Sequence, residues 1–391
     1  MLQAEVNALC GAKYDREASG EARRAGSAKC YAFINGTREE IERPRVRDEQ
    51  GEVNLKSYAV AKDQGLFFDQ IVEAIAAGLP VRGVEDCHGG AVKKTQASEM
   101  WVRHSAEVFE QFRSRSLSES DWVAIQIDGV FLKNHCIVVA IGITTEGEKK
   151  ALDFEIGASE SFETSKLLCE RLAERGFGPG SERDLLVVRD GSKALAKAVR
   201  AVWPRARQQE CLVHAEREII DKLPKAAREE AIRLFKRLRL AEGKVAGEEA
   251  FEALVGYLKK RNKHAADCLA ARKDSLLVFH RLDVSSSLNS TFTNTNHVEN
   301  LIRNWRQETG RVKSWDMKGD QLSRWTAVGL SEAEKGFRRI RGYQDLDELV
   351  EALRVIAADS TPAESAEADS ASVPPAAKES ALSSCVSTDE P

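Results

Sequence analysis

At 391 residues the chain is too long for one small domain and long enough to bury at least one large core. Charged residues make up 31% and aromatic residues 6%, which predicts a heavily charged surface and plentiful helices. The net charge of −4 conceals a division: from Asp359 onward seven acids face one lysine, so the remainder is mildly basic and global charge neither supports nor excludes nucleic acid.

The eight cysteines show no disulfide framework, no run approaches ~18 consecutive apolar residues, and no charged-then-apolar leader opens the chain. A reduced, cytoplasmic protein without membrane spans is expected. Residues 1–62 are polar and rich in arginine. Within them Arg43-Pro44-Arg45-Val46-Arg47, followed by Val53-Asn54-Leu55-Lys56, reads as a small extended element or equally as a solvated loop.

From Leu66 the pattern turns helical, with Phe68, Ile71, Val72 and Ile75 at helical spacing and Gly78-Leu79-Pro80 as a stop. A second turn is expected around Val81 to Cys87, then a longer helix from about Ala91 to Arg115 with Lys93 and Lys94 at its start. Short helix, turn and basic-ended helix read as a helix-turn-helix that binds DNA, or as plain helical packing.

Strands are expected at Trp122 to Asp128, His135 to Ile143 and Leu152 to Ile156, a helix at Phe162 to Arg175, a strand at Leu185 to Val188, and a helix at Ala194 to Val202. Three hairpin-joined strands followed by helix, strand and helix describe a mixed α/β sheet with helices on its faces. A short strand should follow Pro204, and the chain from about Glu216 to Asp274 reads as amphipathic helix. A polar stretch, Ser285 to Asn296, then leads into a helix from about His297 to Gln307. Beyond about Ala357 the Ala, Ser, Pro and Glu composition predicts a disordered tail.

Asp128 and Asp190 each end an apolar strand and precede a glycine. A carboxylate at the end of a buried strand needs a partner or a cation, and if the two strands are parallel neighbours both emerge at one sheet edge and make a magnesium site; either alone reads more readily as a turn or helix cap. Glu299 lies on the helix after Thr293-Asn294-Thr295-Asn296, and spacing alone does not bring it to the aspartates. Cys211-Leu212-Val213-His214 has the spacing of half a zinc site. No second pair completes it, and Cys87-His88 stand isolated, so a structural or supporting role is expected, without zinc.

Three blocks together resemble the Mutator-type transposases of bacterial insertion sequences. They are Ile127-Asp128-Gly129-Val130-Phe131; Asp190-Gly191-Ser192-Lys193-Ala194 through Val202-Trp203-Pro204 to Gln209-Glu210-Cys211-Leu212-Val213-His214; and Thr295-Asn296-His297-Val298-Glu299-Asn300. Pro44-Arg45-Val46-Arg47-Asp48 is similar to a further block, and the likeness runs to about Leu353. Met1-Leu2-Gln3-Ala4-Glu5 reads as internal to the family's first block, and Trp305-Arg306-Gln307-Glu308 stands where relatives carry a more basic run.

The resemblance implies an RNase H-like mixed sheet with an α-helical insertion, preceded by a small helix-turn-helix-like DNA-binding region. The implied layout is a basic region at 1–62, a helical DNA-binding region at 63–118, and the first part of the catalytic core at 119–215. The insertion follows at 216–296, core completion and C-terminal helices at 297–356, and the tail at 357–391. It further implies catalytic, metal-binding Asp128, Asp190 and Glu299 with two Mg2+ or Mn2+ ions, and a family signature at Cys211 and His214. The implied activity is DNA cleavage at element ends and strand transfer, by a homodimer or larger assembly on inverted repeats and target DNA at the bacterial nucleoid. Lys93, Lys94, Arg303, Arg306, Arg311 and Lys313 are candidate phosphate contacts, with a second patch at Lys193, Lys197, Arg200, Arg205 and Arg207. The rival readings are an inactive descendant that binds DNA as a regulator, a zinc hydrolase built on Cys211 and His214, and a stand-alone RNase H-type nuclease.

Overall fold

The computed structural model describes residues 2–13, 22–34, 37–62, 65–87, 92–132, 134–309, 315 and 319–354. The acidic tail, His88, Ala91, Arg311 and Lys313 lie outside them. Helix α1 (Leu2–Cys10) precedes a three-stranded antiparallel sheet of β1 (Arg23–Ile34), β2 (Thr37–Asp48) and β3 (Gly51–Glu52). Arg43 to Arg47 are thus extended, within β2. Pro44, which has no N–H to give a ladder, sits opposite Ser27 beside a register shift. Lys56, read with the extended element, instead starts α2 (Lys56–Lys62), because Glu5 accepts from the free backbone N–H groups of Lys56 (2.7 Å) and Ser57 (2.8 Å). Val6, Val46 and Leu55 form the small core beneath.

Helices α3 (Gly65–Ala76), α4 (Val84–Cys87) and α5 (Lys94–Ser114) follow. The third starts near its expected place, where the Gln96 side chain accepts from the Lys93 backbone N–H (3.1 Å). Ile71, Val72, Ile75, Val84, Ala97 and Trp101 share one core with Val328 from a late helix, so the region leans on the C-terminal part of the chain.

A five-stranded mixed sheet is formed by β4 (Trp122–Leu132), β5 (His135–Thr144), β6 (Lys149–Gly157), β7 (Leu186–Arg189) and β8 (Arg207–Glu210), in the order β6-β5-β4-β7-β8. The first three pair antiparallel; β4 with β7 and β7 with β8 pair parallel, the arrangement expected from hairpins followed by crossovers. α6 (Phe162–Glu174) and α7 (Lys193–Val202) are the crossovers; their Leu168, Leu172, Leu195 and Val199 pack with Ile125, Ile127 and Val187 of one face.

Then come α8 (Leu212–Asp221), α9 (Lys225–Arg239), α10 (Gly243–Lys259), α11 (Lys263–Ala270) and α12 (Lys273–Leu276), which build a core of their own around Phe235, Phe251, Leu254 and Leu269. α13 (Val278–Arg281) and α14 (Asn289–Phe292) return the chain to the sheet. The Ser285–Asn296 stretch is polar in sequence, yet Asn289, Thr291, Thr293, Asn294 and Thr295 are buried. The Asn289 amide donates to the Ala241 carbonyl (2.8 Å), while the Gln126 side chain of β4 donates to the Thr291 carbonyl of the stretch itself (2.7 Å).

α15 (Asn296–Thr309) and α16 (Gln321–Lys335) lie on the second face, where Val298, Leu301 and Trp305 pack with Ile137, Val139 and Phe154. α17 (Leu346–Ala352) closes the described part. No described helix is long and apolar enough to cross a membrane.

Candidate metal centre at the ends of the parallel strands

The parallel pairing of β4 and β7 sets Ile127 opposite Arg189, so Asp128 and Asp190 occupy the next rung, at the same edge. Asp128 is only 4% exposed, while Asp190 is half-buried and accepts from the Ser192 backbone N–H (3.0 Å), a turn-type bond that helps start α7. The Cys211 N–H donates to the Arg189 carbonyl (2.7 Å), which tethers the start of α8 to the end of β7. His214 and Arg217 follow on successive turns of that helix.

Thr295 joins the third part. Its hydroxyl donates to Asp128 Oδ2 (2.8 Å) across 167 residues of sequence, and its carbonyl accepts the Glu299 N–H (3.1 Å) in the first turn of α15. Because residues four apart share a helix face, Glu299 projects on the side that Thr295 fixes against Asp128. The ligand atoms of Asp128, His214 and Glu299 all lie within 4.8 Å of one another. His214 Nε2 is 4.0 Å from Asp128 Oδ2 and 3.5 Å from Glu299 Oε1; Arg217 grips the same glutamate at 2.7 Å and 3.2 Å. Asp190 stands outside this tight group.

Charge and burial oppose each other here. Burial pushes the Asp128 carboxyl up to about 6, against the pull of His214 and the Thr295 bond. The Cys211 sulfur, with Asp128 and Glu299 adding to it, holds the His214 imidazole up at about 9 despite its burial. Cys211 is buried and sits 3.6 Å from the Thr295 hydroxyl, so its place is behind the cluster, against His214. A fourth acid was not anticipated from sequence. Glu160, on the link from β6 to α6, is raised to about 7 by burial and by the charges of Asp190 and Asp128. The sequence signal for it is slight, an acid directly before Ser161, whose hydroxyl caps α6. Arg217 and Thr295 were likewise unassigned.

Lys93 and Lys94 are exposed at the start of α5, and Arg303 is exposed on α15. Arg306, also exposed, donates to the Phe131 carbonyl (2.9 Å). Lys193, Lys197 and Arg200 are exposed on α7, with Lys197 over the Phe162 ring. Arg205 and Arg207 are instead engaged with Asp184, at 3.1 Å and 3.0 Å.

The mixed α/β sheet with helices on its faces agrees with what the Mutator-like blocks implied at that level. Residues 1–317 match the family described as "Transposase, Mutator family", and the chain belongs to that family. It is 26% identical over 326 residues to the transposase for insertion sequence element IS905 of Lactococcus lactis, covering 79% of this chain and 80% of that protein. It is 25% identical over 234 residues to the transposase for IS6120 of Mycolicibacterium smegmatis, covering 56% and 71%. With the transposase for IS256 in transposon Tn4001 of Staphylococcus aureus it shares 27% identity over 226 residues, 54% and 56% of the two chains.

Proposed function

We propose that this chain cuts DNA at the ends of an insertion sequence and joins the freed ends to target DNA, using divalent cations held by Asp128, Asp190 and Glu299. The observation that carries this reading is the meeting of Asp128 and Glu299, with His214, inside 4.8 Å at the edge where Asp190 also emerges. The donors suit the ions. Carboxylate oxygens are hard ligands that favour Mg2+ or Mn2+, and a carboxylate as buried as Asp128 costs several kcal/mol unless positive charge reaches it. When bound, such ions offset the charge that builds on the attacking and leaving oxygens of a phosphodiester.

The protein's own share is positioning. The body of β4, the end of β7 and the first turn of α15 carry the three carboxylates, and Thr295 keeps one Asp128 oxygen oriented. In the first step a water oxygen bonds to phosphorus, the bond to the 3′-oxygen breaks, and that oxygen leaves as a hydroxyl. In the second, the 3′-hydroxyl loses its proton and bonds to a target phosphorus, displacing a target 3′-oxygen. The antiparallel β4-β5-β6 run followed by parallel β7 and β8 supports an RNase H-like reading of the sheet, and α8 to α12 that of a helical insertion. The α3-α4-α5 run, with Lys93 and Lys94 at the head of its longest helix, supports a helix-turn-helix reading for the inverted repeats. Arg303, Arg306, Arg311 and Lys313 complete the phosphate contacts of this reading, and pairing of two ends by a dimer or larger assembly is part of it. Cleavage of an inverted-repeat duplex with Mg2+ or Mn2+ tests it: Asp190→Asn should lose at least about 100-fold in rate. Cutting at the wild-type rate would refute the assignment.

A further inference from the structure

Four carboxylates meet at this edge, but the positive groups are not shared evenly among them. His214 and Arg217 both lie against Glu299, and His214 alone also approaches Asp128. On the Asp190 side the preceding residue, Arg189, carries a guanidinium. It is committed elsewhere, donating through Nε to Gln208 Oε1 (2.9 Å) and through Nη1 to the Asp190 main-chain carbonyl (2.7 Å). Glu160 has no ion-pair partner among the described residues; the Ser192 side chain bonds to its carboxylate, but Oε1 is sealed from solvent without a hydrogen-bond donor. A buried anionic oxygen left this way costs free energy unless something positive occupies the space before it.

The backbone has made room for that side chain. A Cβ placed on Gly129, the residue after Asp128, would lie 3.0 Å from Glu160 Oε2 and 3.2 Å from its Cδ. A methyl group at 129 would press the Glu160 carboxylate away by a few tenths of an ångström. Gly129 lies within β4, opposite Val138, and its missing side chain leaves room for a fourth acid beside Asp128.

We infer that Glu160, together with Asp128 and Asp190, holds one divalent cation, while Asp128, Glu299 and His214 surround a second, with Asp128 common to both. This rests on the cation-dependent reading above and adds to it the carboxylate on which the Asp190-side ion depends. The ligand class is a hard divalent cation such as Mg2+ or Mn2+, since all three donors are carboxylate oxygens. His214 distinguishes the other position: its imidazole, held charged at neutral pH, must give up its proton before it ligates a cation.

The test is Mn2+ binding to the full-length chain without DNA, counted by electron paramagnetic resonance of free Mn2+. Wild type should bind two ions, Glu160→Gln and Glu299→Gln one each, and Asp128→Asn neither with comparable affinity. Gly129→Ala, which removes no carboxylate, should weaken the same ion as Glu160→Gln by at least tenfold. Glu160→Asp should restore part of that binding, and it serves in place of Glu160→Gln should the latter fail to fold by circular dichroism. Two ions bound with unchanged affinity by both Glu160→Gln and Gly129→Ala would overturn the inference, while leaving the triad intact if Asp128→Asn still loses both. Mn2+ binding indifferent to Asp128→Asn as well would instead remove the cation-dependent reading itself.

Discussion

Replacing Thr295 with valine keeps the shape of a buried side chain and deletes the hydroxyl that donates to Asp128 Oδ2 at 2.8 Å. Above pH about 6 the native Asp128 is ionised, so the lost bond is one to a charged acceptor, worth about 1.5–3 kcal/mol. The difference between that and the bond to the protonated acid, worth about 1 kcal/mol, raises the Asp128 midpoint by about half to one and a half pH units. The sign follows from burial. The folded carboxyl already titrates above its unfolded value of 3.8, so the native state is favoured at low pH and loses stability as pH rises through about 6. Deleting a group that stabilises the anion more than the acid therefore widens the gap between variant and wild type at high pH. Near pH 5, where both native states hold the proton, the cost falls to about 1 kcal/mol. Calorimetry in EDTA should show Tm lower by about 3–6 °C at pH 8 and by clearly less at pH 5. Glu160 and His214 titrate in the same range, at about 7 and 9, but are present in both proteins. A Tm difference that is constant with pH, or larger at pH 5, would refute the role given to this bond.

Asp153 is fully buried and takes Arg171 (2.7 Å), Arg175 (3.0 Å) and Arg113 (3.4 Å). Asp153→Ala should cost about 3 kcal/mol in urea unfolding, the low end for a broken buried pair because Glu155 still holds Arg171. A Cβ on Gly329 of α16 would fall on the Trp305 indole that anchors α15, so Gly329→Ala should destabilise by about 1–3 kcal/mol. It should also slow cleavage in proportion to the displacement of Glu299, and a stable variant with unchanged cleavage would contradict the packing account. If Lys94 and Arg303 contact phosphates, alanine at either should lower the slope of log affinity against log salt by about one in band shifts, and an unchanged slope would remove that residue from the interface.

The two aspartates drew attention because each closes an apolar run, a pattern local to a few residues, but only Asp190 follows the end of its strand; β4 runs on past Asp128 to Leu132, held by its pairing with β5. That the sheet is mixed followed from the alternation of hairpins and helices. The helical stretch from Glu216 to Asp274 was equally plain, since its periodicity needs no knowledge of its neighbours. Glu299 was not reachable that way; only the likeness to a family suggested it, and the Thr295 bond to Asp128 shows why, since the contact spans 167 residues. The run at Ser285 to Asn296 is polar in sequence and largely buried in the fold, because the Asn289 amide donates to backbone carbonyls at the end of α9 and the Gln126 side chain of β4 donates to the Thr291 carbonyl, neighbours that sequence does not place beside it. Glu160 belongs with these. Periodicity reports which face of a strand or helix is apolar, but which carboxylates share one small volume depends on strand order, crossover geometry and the missing side chain at Gly129, and these exist only once the chain has folded.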